Sequence, residues 1–124
     1  MAGALTRDTA IFSFASAADL TDKEGYAVEI ESGKVELWDG TGALFGVVVD
    51  GDTTSGRNTV ASFAGASGTV KVKLNGTVSA GDRLEVESGG TWITHSGSDD
   101  VFGVAIEDGV ADELIEAALC LYNI

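Results

Sequence analysis

From residue 25 to the C-terminus, the apolar and polar positions read as short strands separated by turns. Tyr26, Val28 and Ile30 alternate with Ala27 and Glu29, and Ser32-Gly33 supplies a turn. Val35 and Leu37 alternate with Glu36 and Trp38 before Asp39-Gly40-Thr41-Gly42 breaks the run. Such period-two rows turn one side of an extended chain to a core and the other to water. Residues 43–49 are apolar throughout, as expected of a strand covered on both faces. After an acidic loop opened by Asp50-Gly51-Asp52, residues 59–63 predict a short strand. Val70, Val72 and Leu74 alternate with Lys71 and Lys73, the clearest half-buried strand of the chain. Asn75-Gly76 predicts a hairpin, because both residues tolerate positive φ. Leu84 and Val86 then alternate with Arg83, Glu85 and Glu87, and Ser88-Gly89-Gly90 turns into Thr91-Trp92-Ile93-Thr94. A polar loop over 95–100 leads to an apolar run over 101–106.

Residues 111–121 carry the Glu, Leu and Ala of a helix. Ile115, Ala117, Leu119 and Leu121 nevertheless form a period-two row with Glu116 opposite, and the strands on every side favour strand. The run Leu44-Phe45-Gly46-Val47-Val48-Val49-Asp50 returns as Val101-Phe102-Gly103-Val104-Ala105-Ile106-Glu107, 57 positions later. Similar strands at corresponding places in two halves suit a barrel or sandwich. The expectation is an all-β protein, a small β-barrel or sandwich. It would comprise an extended N-terminal arm over 1–20 and a β domain over 21–124.

Residues 1–20 are rich in Ala, Ser and Thr, with Leu5, Ile11, Phe12 and Phe14 among their sizeable apolar side chains. An arm ordered against a neighbour and an ordinary first strand are both open for this segment. Arg7, a short apolar stretch and Ala15-Ser16-Ala17 imitate a secretory leader. Asp8 stands where such a leader should be basic, so none is expected.

At 124 residues, one domain with a real core is expected. Seventeen glycines and no proline fit many tight turns between extended segments. A formal charge of −13 removes the basic footprint that nucleic acid requires, and it disfavours anionic membranes for the same reason. The single cysteine, Cys120, cannot form an internal disulfide and reads as a buried small hydrophobe.

Candidate chemistry is sparse. No Gly-x-Ser-x-Gly elbow occurs, and His95 in Thr94-His95-Ser96-Gly97 reads as a solvated loop residue. One Cys and one His do not make a zinc site. Asp50-Gly51-Asp52 opens like a calcium loop, but Ala61 stands where the bidentate glutamate belongs. A calcium site assembled from separate loops would draw on Asp99, Asp100, Glu107 or Asp108. No dinucleotide fingerprint is present, and Lys71 and Lys73 lie within a strand instead of at the exposed turn that a lipoyl or biotinyl carrier needs. The expectation is therefore no enzyme and no cofactor.

In order along the chain come Phe45-Gly46-Val47, Gly68-Thr69-Val70-Lys71-Val72, Asn75-Gly76-Thr77-Val78 and Ala80-Gly81-Asp82-Arg83-Leu84. Val101-Phe102-Gly103-Val104-Ala105 and Glu113-Leu114-Ile115-Glu116 follow. This series resembles the capsid cement, or head decoration, proteins of tailed bacteriophages over roughly the last hundred residues. The resemblance implies a small β-barrel or sandwich, usually a homotrimer, on the outer surface of the virion capsid with the major capsid protein as partner. It implies no catalytic residues. An acidic trimer would need an apolar interface, and the candidates are Leu5, Ile11, Phe12 and Phe14 with Trp38 and Trp92 as anchors. Core packing is the alternative for each tryptophan. A carbohydrate- or surface-binding β-module of a phage tail or secreted protein is the competing expectation.

Overall fold

The computed structural model describes residues 11–63, 68–97 and 100–122. Their ten strands are β1 (Ile11–Phe14), β2 (Ala27–Glu31), β3 (Lys34–Leu37), β4 (Leu44–Asp50) and β5 (Asn58–Ser62), then β6 (Thr69–Lys73), β7 (Arg83–Val86), β8 (Trp92–Thr94), β9 (Val101–Ala105) and β10 (Leu114–Tyr122). No helix occurs among the described residues. The strands form two five-stranded antiparallel sheets packed as a small β-sandwich, in the orders β1-β5-β4-β2-β3 and β6-β10-β9-β7-β8. The all-β expectation holds, and the ambiguous segment near the C-terminus is strand.

Adding five to each strand number of the first order gives the second, so one sheet topology is built twice. The echoed heptapeptides fall on β4 and β9, the middle strand of each sheet. A second echo becomes visible with the fold in hand: Glu29-Ile30-Glu31-Ser32-Gly33 and Glu85-Val86-Glu87-Ser88-Gly89 lie 56 positions apart. Hydrogen bonds repeat as well. Gly25 N donates to Val48 O and Gly81 N to Ala105 O, both at 2.8 Å. Leu20 N donates to Asp52 O and Val78 N to Gly109 O, both at 2.9 Å. Parallel bridges join Ser16 to Val35 and Leu74 to Trp92. Each bridge links the segment following one edge strand to the opposite edge strand, so each sheet curls until its two edges meet.

Each curl encloses its own core. The first holds Leu20, Val28, Val35, Val48 and Val60, with Phe14, Leu37 and Phe45 at its margin. The second centres on Trp92, Leu74, Leu84, Ile115 and Leu119, and Ala27, Val47 and Phe63 of the first half join it. Sequence neighbours Val47 and Val48 therefore point to different cores, which is why residues 43–49 must be apolar on both sides. The same two-sided cover buries Glu29 and Glu85, at 5% and 7% exposure, where simple alternation turns them to water.

Two local expectations need correction. Asn75-Gly76 closes no hairpin: β6 pairs with β10, and neither residue has positive φ. Tertiary pairing overrides the turn signal, since Asn75 N donates to Trp92 O (2.8 Å) and its Nδ2 to Glu87 Oε1 (2.7 Å). The two-residue turn instead falls at Ser32-Gly33, with φ of 53° and 77°, between the paired residues Glu31 and Lys34. Cys120 is half-buried, short of the full burial expected.

Residues 11–14 form a strand against β5, the second of the two alternatives for the N-terminal segment, and Leu20 is 1% exposed. Residues 1–10, with Leu5, lie outside the described residues. Leu20→Ala should then destabilise the protein by ~2–5 kcal/mol, the range for a buried leucine. Urea unfolding followed by circular dichroism would measure it. A loss below ~1 kcal/mol would detach residues 15–20 from the fold.

Candidate functional site

Among the candidate contact residues, Ile11 and Phe12 lie open on β1, at 42% and 43% exposure. Phe12, Phe14 and Phe45 form an aromatic cluster with ring centroids 5.4–6.3 Å apart, and Phe14 is only half-buried. The other edge strands carry devices that discourage sheet extension. Lys34 and Glu36 lie on β3, Lys71 and Lys73 on β6, and β8 is only 3 residues long. The four residues of β1, Ile-Phe-Ser-Phe, have no such charge. Beside it, a shallow groove of about 260 Å³ runs between Ile11, Val49, Ala61 and Val70. Val49 is itself 43% exposed, so apolar surface continues from β1 onto β4.

The two tryptophans part company. Trp92 is fully buried and packs at a tilt near Phe63, with centroids 6.2 Å apart; it takes the core alternative and offers nothing to a partner. Trp38 is half-buried and lines a cleft of about 680 Å³ where the two halves meet. Trp38 and Leu44 come from the first half; Val86 and Phe102 come from the second. The charged groups in the lining are Glu85, Glu87 and Asp100.

The rim is held by short-range hydrogen bonds. Trp38 Nε1 donates to Gly42 O at 2.7 Å, which fixes the indole. Asp39 Oδ1 accepts from Thr41 N (2.9 Å), Thr41 Oγ1 (2.9 Å) and Gly42 N (3.2 Å). The backbone bond from Thr41 foremost, and its hydroxyl next, hold the Asp39 carboxyl below its usual range. Across the cleft, Gly89 N donates to Trp38 O (2.7 Å) and Ser88 Oγ to Asp39 O (3.0 Å), so both halves share one wall.

His95 is not the solvated residue expected. Its Nδ1 lies 3.2 Å from Glu85 Oε1, out of line for a hydrogen bond, and both side chains are about nine-tenths buried. Glu85 Oε1 accepts from Ser96 N at 3.0 Å, which pins the carboxylate beneath the loop.

The carboxylates of Glu29, Glu31 and Glu36 approach within 4.8 Å of one another. The acids considered for a loop-built calcium site do not form such a group among the described residues. Asp108 accepts from Ala80 N, Glu107 accepts from Glu116 N, and Asp99 lies outside the described residues.

A proton shared with Glu31 is the main cause that lifts the Glu36 carboxyl above its usual range; desolvation and the charges of Glu31 and Glu29 add to it. The folded state therefore holds this proton more tightly than the unfolded chain. That contribution to stability is present at pH below the ordinary glutamate value and is lost as pH rises through the raised one. At pH 7 the cluster is repulsive, so Glu36→Gln should raise Tm modestly. The gain should vanish near pH 3, where Glu36 holds its proton. Thermal unfolding at the two pH values checks both signs, and a lower Tm for the variant at pH 7 would contradict the repulsion.

No protein-family model and no curated protein sequence matches the chain. The fold itself is shared: the crystal structure of the head fiber gp8.5 N base in bacteriophage phi29 superimposes with a TM-score of 0.65 and 14% identity. The match spans 94% of this chain and 98% of that one, so the likeness extends over both sheets of this chain.

Proposed function

We propose that this chain is a phage head decoration protein that binds the outer surface of the capsid lattice and stabilises it, without enzymatic activity. The observation that carries the reading is the whole-length likeness of its fold to a head fiber base of phage phi29. Two features of the surface support it. Ile11 of the uncharged edge strand and Val49 of β4 leave apolar surface open on one face, and Phe12 does so on the other, suited to a protein neighbour. A charge of −13 favours a partner surface that is basic over one that is acidic.

A homotrimer docked on the major capsid protein is the assembly that fits this role. Several modest interfaces at one lattice junction add into strong attachment. A module that binds the assembled lattice and not its free subunits opposes disassembly by mass action. Trp38 at the mouth of a cleft favours a second reading, a module that binds a carbohydrate.

Mixing the purified protein with capsids prepared from the same phage lacking it tests the first reading. The expected result is saturable co-sedimentation, a trimer mass in solution, and capsids that withstand osmotic shock better when decorated. A monomer that stays in the supernatant at every capsid concentration would overturn it.

A further inference from the structure

We infer that the cleft between Trp38 and Phe102 receives an arginine side chain presented by the protein surface to which this chain adheres. The inference rests on the adhesive reading above and adds the chemistry of the contact. The cleft's walls are aromatic and aliphatic: Trp38 and Leu44 face Val86 and Phe102. Its acidic lining residues are Glu85, Glu87 and Asp100, and no lysine or arginine lines it. Behind Glu85, His95 Nδ1 lies 3.2 Å from its carboxylate, and Arg83 stands two residues earlier on the same strand. A planar guanidinium is the side chain that satisfies both features. It stacks on an aromatic face while its N–H fork reaches carboxylate oxygens.

Burial sharpens the preference. Glu85 is 7% exposed, so its charge acts through a medium that screens far less than water. A cationic guest gains an attraction to that carboxylate and to its neighbour on Glu87 that a neutral guest does not; an anionic guest would be repelled. Glu87 is also held in place, accepting from Asn75 Nδ2 at 2.7 Å. With the indole fixed by Gly42 and the wall tied across by the Gly89–Trp38 bond, little ordering remains to be done when a guest enters. The overall negative charge draws basic groups toward the cleft before contact.

The test uses the full chain, labelled with nitrogen-15 and titrated with N-acetyl-arginine methylamide, in parallel with maltotriose. The arginine probe should move the Trp38 indole N–H resonance saturably, with the weak, roughly millimolar affinity of a lone side chain. Glu87→Gln, which keeps an acceptor for Asn75, should weaken the binding about threefold or more, and Trp38→Leu, followed on the backbone amides of Gly42 and Ser88 because it lacks the indole, should do the same, the scale of an exposed ion pair or cation–π contact. No movement of that resonance, or movement that neither variant weakens, would overturn the inference. Movement by maltotriose alone would also overturn it and assign the cleft to a glycan. Co-sedimentation separates the two claims. Wild-type protein and the double variant pelleting equally with capsids would leave the decoration reading standing and sink the arginine contact. Failure of the wild type to pellet, with the titration as expected, would do the reverse.

Discussion

Trp92→Ala should destabilise the protein by ~3–5 kcal/mol, the range for truncating a buried aromatic residue. Against a typical total of ~5–15 kcal/mol, that leaves much of the population unfolded near physiological temperature. The size follows from where Trp92 sits. It is fully buried, packs beside Phe63 in the second core, and its Cζ3 lies 3.4 Å from where a side chain on Gly103 would begin. Its carbonyl also accepts from Asn75 N, so the residue holds together the bridge that closes the second sheet. The indole Nε1 finds no acceptor among the described residues. Trp92→Phe removes that unpartnered donor and keeps an aromatic ring with a smaller cavity, and should cost distinctly less than the alanine variant. Urea unfolding of both variants measures the pair. Equal losses would contradict packing of the ring as the source of the effect.

The second large effect separates two glycines that occupy equivalent places in the repeat. Gly46→Ala on β4 sets a methyl group 2.3 Å from Ala61 O and 2.9 Å from a Val60 methyl, and the oxygen belongs to the neighbouring strand's backbone. The middle of the first sheet must spread to admit it, at ~2–3 kcal/mol or more. Gly103→Ala on β9 meets Ala118 O at 3.1 Å and Trp92 Cζ3 at 3.4 Å, contacts that a shift of a few tenths of an ångström relieves. It should cost under ~1 kcal/mol. Thermal unfolding of the two variants gives the order directly; a greater loss at Gly103 would contradict the strand packing described for the two sheets.

Legibility in the sequence followed the physical range of each interaction. Alternation and the apolar run over 43–49 located strands well, because each depends on the face a residue shows to a core. The repeat was legible on β4 and β9, whose middle positions demand the same apolar pattern and the same close-approach glycine. Its second signature, Glu-x-Glu-Ser-Gly at 29–33 and 85–89, is masked because acidic residues in a strand read as solvent-facing. Both of its leading glutamates are buried, an effect of the second half packing on the first that no local pattern carries. Asn75-Gly76 misled for the same reason: partners at Trp92 and Glu87, far along the chain, set the backbone there. Trp38 and Trp92 differ by tertiary position alone. The cleft, assembled from residues 38–44, 85–88, 100 and 102, could not be read from any one segment.

The most direct test of the decoration reading is cryo-electron microscopy of capsids with and without this protein. It predicts added density on the outer surface at regular lattice positions, each accommodating copies of the two-sheet body with the Ile11–Phe14 strand or the Trp38 cleft against a neighbour. Identical maps at saturating protein would contradict it.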